Sequence, residues 1–210
     1  MTEIFNLVEE NAPEFLERIS IAGHPEAEIY ATGDLSISYE FFPNQNLEKK
    51  ETLEVIAKRN RNNKLTTFYL CGQPEHPNTL TYSPAIESQM VPIIAMKYAL
   101  EGYTRWAYCN WTDNPLKKPV FNYNQGDEYI VYPGKTGPIS TIRWELFKEG
   151  LEDYKILSSM RRDGLLTLKD FEKILQLYTE PQDGRRKGVS DISNARNIMR
   201  IIFGTSKGVD

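Results

Sequence analysis

The sequence alternates between short segments with the two-residue repeat of a β-strand and longer segments with the 3.6-residue repeat of a helix. This alternation restricts the fold strongly, because strands that are joined by helices usually pair in parallel. Strands are predicted at 28–32, 35–41, 66–71 and 103–109, and helices at 2–19, 47–60, 84–101, 141–162 and 167–179. A last helix is predicted after an N-cap at Ser190 or Asp191. The predicted fold class is α/β, with about four parallel strands and crossover helices.

Four parallel strands with crossover helices make half of a (β/α)8 barrel of the TIM type. An isolated half-barrel would leave strand edges and apolar surface uncovered. We therefore expect the chain to form a homodimer, to exchange elements between copies, or to be marginally stable alone. The partial barrel is predicted to span residues 1–164, and a C-terminal helical extension to span residues 165–210.

Two of the helices have recognisable boundaries. The helix at 84–101 is predicted to begin with a capping box, in which Ser83 is the N-cap and Glu87 lies near the end of the first turn. The helix at 141–162 is predicted to end at Gly164, because glycine adopts the left-handed conformation that commonly ends a helix.

Composition excludes several classes of partner. The 210 residues are 40% hydrophobic and 26% charged, which is typical of a soluble globular protein. A formal net charge of -4 provides no basic surface for nucleic acid or an anionic membrane. The longest apolar stretch, at 90–100, is shorter than the roughly 18 residues of a membrane span. The first ten residues lack the features of a secretory signal, and the cellular compartment is left open.

The cysteines and histidines do not form a metal-binding pattern. Cys71, Cys109, His24 and His76 are too few and too irregularly spaced for a zinc site. Both cysteines lie near the ends of predicted strands, so they form either one disulfide or two buried, reduced thiols. No metal site is predicted.

Two apolar and aromatic runs each end in a polar loop that is rich in aromatic residues. The first run is 67–72, followed by the loop 73–79, and the second is 103–111, followed by a loop that reaches 134. In a barrel of parallel strands, the loops after the strands form the active face. Aromatic rings contact the apolar face of a pyranose, and fixed polar groups bind its hydroxyls. The pattern therefore predicts a carbohydrate site.

Nine residues are candidates for substrate binding. They are Tyr69, Asn78, Trp106, Tyr108, Asn110, Trp111, Asp127, Tyr132 and Arg143. A purely structural role stays open for several of them, because alternate residues of a strand face the core and loop asparagines often satisfy their own turns. Asp127 is expected to bind substrate or to order its loop, and Arg143 to pair with a carboxylate or to brace its loop.

Four sequence blocks, in order, resemble the C-terminal half of the catalytic domain of glycoside hydrolase family 123. The blocks are 69–78, 102–111, 126–134 and 137–154. The resemblance implies a retaining, substrate-assisted β-N-acetylhexosaminidase of the β-N-acetylgalactosaminidase type, acting on a glycan that contains N-acetylhexosamine. In such enzymes the acetamido oxygen of the substrate attacks the anomeric carbon, an Asp orients the acetamido group, and an adjacent Glu protonates the leaving oxygen. The resemblance implies no cofactor, and similar proteins often act outside the cytoplasm.

The catalytic Asp-Glu pair that this resemblance implies has no counterpart at a strand end of this sequence. Asp127-Glu128 belongs to a later block, and Glu152-Asp153 lies within a predicted helix. No catalytic residue is therefore assigned. We expect a truncated domain that is inactive alone and that requires an N-terminal half. The alternatives are a non-catalytic sugar-binding protein and an assembly module that dimerises through the edge of the half-barrel.

Overall fold

The computed structural model describes residues 10–11, 20–23, 36–40, 50–70, 76–105, 107–119, 123–179 and 188–206. The strands are β1 (Ser20–Gly23), β2 (Ser36–Glu40), β3 (Thr66–Tyr69) and β4 (Gly102–Tyr103). The helices are α1 (Lys50–Arg61), α2 (Glu87–Lys97), α3 (Ile142–Arg162), α4 (Leu168–Thr179) and α5 (Val189–Ser206). The chain divides into two compact units, one with Met1–Pro74 and Tyr98–Trp106, the other with Glu75–Lys97 and Ala107–Asp210.

The first unit contains a four-stranded parallel sheet with the order β1-β2-β3-β4. Ile37 is in register with Thr66, and Thr67 is in register with Gly102. The predicted α/β class with parallel strands is confirmed for the described residues. The strands predicted at 35–41 and 66–71 correspond to β2 and β3.

Two strand predictions need correction or fall outside the described residues. β1 was not predicted, because Ser20–Gly23 has only four residues and one large apolar side chain, and therefore carries little of the alternation of a strand. The strand predicted at 28–32 lies outside the described residues. The strand predicted at 103–109 is wrong in extent, because β4 ends at Tyr103 and residue 109 pairs in antiparallel fashion with Tyr129.

A buried polar network holds the start of β3. The Arg59 side chain is 2% exposed; its Nε donates to Thr66 Oγ1 at 3.0 Å, and its Nη2 donates to the Leu65 carbonyl at 2.9 Å. The backbone N–H of Thr66 donates to Glu101 Oε2 at 2.7 Å. These contacts join α1, β3 and the segment before β4. They lie at the N-terminal ends of parallel strands, where stability rather than chemistry is the usual role.

The helix boundaries follow the predictions in part. Thr141 is the N-cap of α3, and Gly164, with φ +70°, follows its end. The helix predicted at 84–101 is shorter, because α2 begins at Glu87 and ends at Lys97. The predicted capping box is absent: the Glu87 carboxylate instead accepts a hydrogen bond from the Asn78 backbone N–H at 3.0 Å.

The second unit is built around α2. Every residue of α2 from Glu87 to Ala95 is buried, which is typical of a helix covered on all sides. α3 packs closely on it, because Gly150 has no side chain and a Cβ there would collide with the Gln89 carbonyl oxygen. The hydrophobic core of the four helices comprises Met90, Ile93, Leu157, Met160, Phe171, Ile174, Leu175, Tyr178, Ile192, Ala195 and Met199.

A single buried carboxylate joins the four helices of this unit. Asp153 on α3 is 2% exposed and accepts hydrogen bonds from Gln89 Nε2 at 2.8 Å, Tyr178 Oη at 2.7 Å and Arg196 Nε at 2.9 Å. Burial and the Asp153 carboxylate raise the pKa of Tyr178. Burial lowers the pKa of Arg196, but its hydrogen bonds to Glu149 and Asp153 outweigh that effect, so the pKa is raised overall.

We predict that Asp153→Ala lowers the free energy of unfolding by about 3–5 kcal/mol, because three buried or half-buried donors lose their common acceptor. Glu152→Ala is the control. Glu152 is exposed, and within the described part of the chain it forms an ion pair with Lys155. The control should change stability by less than about 0.5 kcal/mol. Urea unfolding measures both, and a loss under about 1 kcal/mol for Asp153→Ala would contradict the assigned role.

We also predict that stability falls as the pH rises above about 10, the ordinary pKa of tyrosine. Below this pH, Tyr178 is protonated in both the folded and the unfolded states. Above it, the unfolded state loses the proton first, because the pKa of Tyr178 is raised in the folded state. This one residue contributes a slope of at most about 1.4 kcal/mol per pH unit.

Tyr178→Phe tests that contribution by urea unfolding between pH 8 and 11. The stability of the variant should decline less steeply with pH than that of the unaltered chain. Parallel curves for the two proteins would show that Tyr178 ionises equally easily in the folded and unfolded states.

Candidate functional site

Two loops of the second unit contact each other through their backbones. The Thr81 N–H donates to the Gln125 carbonyl at 2.9 Å, and Thr81 Oγ1 donates to the same oxygen at 3.2 Å. Gly126 has φ +87°, and a Cβ there would lie 2.9 Å from Thr81 N and 3.1 Å from Thr79 O. Glycine is required here both by its conformation and by the close approach of the other loop.

This loop contact places two of the predicted site residues on neighbouring segments. Asn78 is 1% exposed, and its Oδ1 accepts from the Leu80 N–H at 2.9 Å. Asp127 is 5% exposed and directly follows Gly126. The Oδ1 atom of Asn78 therefore orders its own turn, as the structural alternative for loop asparagines predicts.

The segment 127–132 is paired on two sides, and we call it the central segment. On one side, the Asn110 N–H donates to the Glu128 carbonyl at 2.9 Å, and the Ile130 N–H donates to the Tyr108 carbonyl at 3.1 Å. On the other side, the Tyr132 N–H donates to the Ile139 carbonyl at 2.9 Å, and the reverse bond is 2.7 Å long. These antiparallel contacts bring the predicted residues at 108–111 alongside those at 127 and 132.

Aromatic side chains are fixed along the central segment. Trp111 is half-buried, and its Nε1 donates to the Val131 carbonyl at 2.7 Å. The rings of Tyr129 and Tyr132 lie 5.1 Å apart between centroids. The indole N–H of Trp111 is thus used by the protein, so its ring is the part that can contact a sugar.

A second aromatic group adjoins the first. Tyr108 meets Trp144 edge to face at 5.5 Å between centroids, and Trp144 stacks on Phe147 at 5.7 Å. Tyr108 is 42% exposed, whereas Trp144 is half-buried. Trp144 lies in the first turn of α3 and was not among the predicted site residues. Its place just after the Thr141 N-cap was the signal available in the sequence.

Two charged side chains are buried in the same unit and act electrostatically on Tyr129. Glu128 is 1% exposed, Tyr129 is fully buried and Arg143 is 8% exposed. Burial raises the pKa of Tyr129, as do the Tyr132 hydroxyl and the Glu128 carboxylate, while the Arg143 cation opposes the shift. Tyr129 therefore stays neutral at physiological pH. Glu128 and Tyr129 were not predicted, although they follow Asp127 directly in sequence.

The structure places most of the nine predicted residues in this unit. Asn78, Tyr108, Asn110, Trp111, Asp127, Tyr132 and Arg143 all belong to it. Tyr69 ends β3 in the first unit, and Trp106 lies outside the described residues. Cys109 is an exposed free thiol, so both alternatives are wrong for this residue: it forms no disulfide, and it is not buried.

Two other kinds of site are absent from the described residues. They contain no group of three or more His, Cys, Asp or Glu side chains that could hold a metal ion. Their helices include none that combines the length and apolar character needed to cross a membrane. A cavity of about 450 Å³ lies between α3 and α5, with Asp153, Met160 and Arg196 among its lining residues. None of the nine predicted residues lines this cavity.

Comparisons with known proteins identify the class to which this fold and site belong. Residues 1–160 match the family model described as glycoside hydrolase 123, catalytic domain. The chain therefore belongs to glycoside hydrolase family 123, and the resemblance noted in the sequence is confirmed.

A solved structure supports the fold. It is a family 123 glycoside hydrolase from Clostridium perfringens, described in connection with glycolipid glycan hydrolysis, and it superposes with a TM-score of 0.65 at 20% identity. The match covers 93% of the present chain and 38% of that chain. The present chain thus spans well under half the length of this structure. No curated protein sequence matches the present chain.

We predict that Gly126→Ala disrupts the loop contact and lowers stability by about 1–3 kcal/mol more than Gly164→Ala does. Both glycines have positive φ, so alanine is strained at either position. Only Gly126 also approaches another backbone, since nothing lies within 4 Å of a Cβ at Gly164. Chemical unfolding of both variants isolates the steric effect, and equal losses would argue against a tight loop contact.

Proposed function

We propose that these residues form the substrate-binding part of a retaining, substrate-assisted β-N-acetylhexosaminidase of the β-N-acetylgalactosaminidase type. Membership of glycoside hydrolase family 123 supports a glycoside hydrolase. The observation that carries the finer proposal is the central segment, in which Asp127 and Glu128 are buried and whose backbone pairs with the segment that carries Tyr108 and Trp111. Aromatic faces beside fixed polar groups suit an N-acetylated pyranose.

The proposed roles follow from what each group can do chemically. The ring of Trp111 offers an apolar face, while its N–H holds the Val131 carbonyl. The Tyr132 hydroxyl lies 3.4 Å from the Tyr129 hydroxyl, and neutral phenols can both donate to and accept from sugar hydroxyls or the acetamido group. The Asp127 carboxylate accepts from hydroxyls or from the acetamido N–H. Together these groups orient the sugar so that its acetamido oxygen can reach the anomeric carbon.

We propose further that residues 1–164 form part of a (β/α)8 barrel and that residues 165–210 are a C-terminal helical extension. The parallel sheet with strands in sequence order supports this architecture, because a barrel orders its strands in that way. The family match over residues 1–160 ends near the proposed boundary. In this arrangement the loops that follow the strands carry the site.

The 210 residues are proposed to bind the sugar without cleaving it. Substrate assistance needs one carboxylate that orients the acetamido group and an adjacent acid that protonates the leaving oxygen. The sequence contains no such pair at a recognisable strand end. In a longer protein the pair would come from other parts of the domain. A non-catalytic sugar-binding protein is the second candidate, and the same feature favours it.

The test is an assay of the purified 210-residue chain on an aryl β-N-acetylgalactosaminide, together with an NMR titration with N-acetylgalactosamine. We expect weak binding and no turnover, since the loss of a general acid and an orienting carboxylate costs several orders of magnitude in rate. Trp111→Ala should abolish the binding. Trp111→Phe keeps an aromatic face and should retain part of it, which separates ring stacking from loss of the indole hydrogen bond.

Three results would change the proposal. Hydrolysis by the purified chain would assign catalytic roles to carboxylates present in it, with Asp127 as the first to substitute. Binding that is unaffected by Trp111→Ala would remove Trp111 from the site. A stable dimer without any response to sugar would favour the assembly module.

A further inference from the structure

The cavity between α3 and α5 has an acidic side and a basic side. Its lining on α3 includes Glu149, Glu152 and Asp163, whose side chains are exposed, and its lining on α5 includes Arg196 and Arg200. We call the surface formed by the lining residues the α3–α5 face. None of the nine predicted site residues belongs to it, so its role is separate from the proposed binding of sugar.

The two sides of this face run in the same direction. Lining residues recur every three or four positions in each helix, as expected for one helical face: 149, 152 and 156 in α3, and 196, 200 and 203 in α5. Arg196 Nη2 donates to Glu149 Oε2 at 2.8 Å. Every other lining residue of α3 and α5 lies on the C-terminal side of these two. The cavity therefore extends from this ion pair toward the C-terminal ends of both helices.

The middle of the α3–α5 face is apolar. Met160 and Met199 line the cavity as buried residues, whereas Ile156 is 47% exposed and Phe203 is 45% exposed. Large apolar side chains that stay open to solvent around a concave surface are typical of a contact with another molecule. An apolar centre between charged rims is also the usual arrangement of a protein–protein interface.

The charges on the two sides are available to a partner. Within the described part of the chain, Arg200 is exposed and has no ion-pair partner. Glu152 pairs with Lys155, and Asp163 pairs with Arg162, both of which are exposed neighbours on α3. Exposed ion pairs of this kind contribute little to stability, so these carboxylates can change partners at little cost.

We propose that the α3–α5 face is the interface of a homodimer, in which a second copy of this chain lies against it. A two-fold rotation about an axis along the cavity exchanges the two sides, so the acidic side of each copy meets the basic side of the other. The same rotation brings Ile156 of one copy to Phe203 of the second copy. A partner of a single charge sign would match only one side of the face, whereas a rotated copy matches both.

The direction of the helices identifies the charges that meet. Arg200 lies one turn beyond Arg196, and Glu152 lies nearly one turn beyond Glu149, in the same direction along the cavity. Arg200 of one copy therefore faces Glu152 of the second copy. The symmetry repeats this contact, so each dimer contains it twice.

The test is sedimentation equilibrium of the 210-residue chain at about 10 µM to 1 mM, the range of a weak dimer. Glu152→Arg and Arg200→Glu should each weaken the dimer by about tenfold or more, because each places two like-charge contacts in the symmetric interface. An equimolar mixture of the two variants should dimerise about as tightly as the unaltered chain. In the mixed dimer, each variant supplies the charge that the other has lost.

Further variants control for indirect effects. Lys173→Glu reverses a charge at an exposed position of α4 that does not line the cavity, and it should leave the dimer unchanged. Ile156→Ser removes an apolar contact at the centre of the interface without adding charge, and it should weaken the dimer. Thermal melting checks that the variants remain folded, as expected for exposed positions.

Each outcome decides for or against the interface. Loss of the dimer in both charge variants and its return in their mixture would support it. A chain that stays monomeric up to about 1 mM would overturn it and leave the face to a different molecule. A dimer that is insensitive to both variants would also overturn it, because the copies would then meet elsewhere, for example at an edge of the parallel sheet. Loss without return in the mixture would show that the variants disturb the fold rather than a paired contact, which equally overturns the proposal.

Discussion

The buried carboxylate of Asp153 is the interaction on which the helical unit depends. A buried charge is costly to desolvate, and it persists only where good geometry and several hydrogen bonds compensate. Asp153 meets that condition with donors from three other helices, namely Gln89, Tyr178 and Arg196. Without the carboxylate, the buried Gln89 and Tyr178 would lose this acceptor, whereas Arg196 would keep its contact with Glu149. The network therefore favours one arrangement of the helices over others that would bury the same apolar side chains.

The position of α3 also fixes the candidate site. Gly150 allows α3 to approach α2 closely, and at the N-terminus of α3 the Thr141 hydroxyl has two partners. It accepts from the Trp144 N–H at 3.2 Å and donates to the Ile130 carbonyl at 2.6 Å. One side chain thus caps the helix and attaches it to the central segment. The first turn of the same helix carries Arg143 and Trp144. The position of α3 therefore determines where the Arg143 charge and the Trp144 ring lie.

The sequence predicted those parts of the fold that depend on local chemistry. The start of a helix near residue 141 and its end at Gly164 were predicted, because the signals at helix ends involve residues only a few positions apart. The parallel sheet followed from the alternation of strands and helices. The capping box at Ser83 failed because Glu87 interacts with a residue nine positions earlier, Asn78, which no helix rule considers.

Contacts between distant segments account for the remaining differences. The sequence indicated a long strand at 103–109, but residues 108 and 110 pair in antiparallel fashion with the central segment about twenty positions later. The aromatic alternation at 103–111 is equally compatible with one long strand and with a short strand followed by a second pairing segment. For the same reason Glu128 and Tyr129 were missed, whereas Asp127 and Tyr132 on either side of them were selected.

The burial of charge at the central segment separates the possible roles of its residues. Two adjacent carboxylates, Asp127 and Glu128, lie almost entirely out of solvent, and like charges at this spacing repel each other. Arg143 is buried in the same unit and acts electrostatically on Tyr129, which places a positive charge near the Tyr129 hydroxyl.

A purely structural loop would be more stable with neutral side chains at positions 127 and 128. Retained burial of charge beside aromatic rings is instead typical of sites that bind and orient a polar ligand. Under the function proposed above, that ligand would be the terminal sugar of the glycan, and the loop closed at Gly126 would help to keep its binding groups in place.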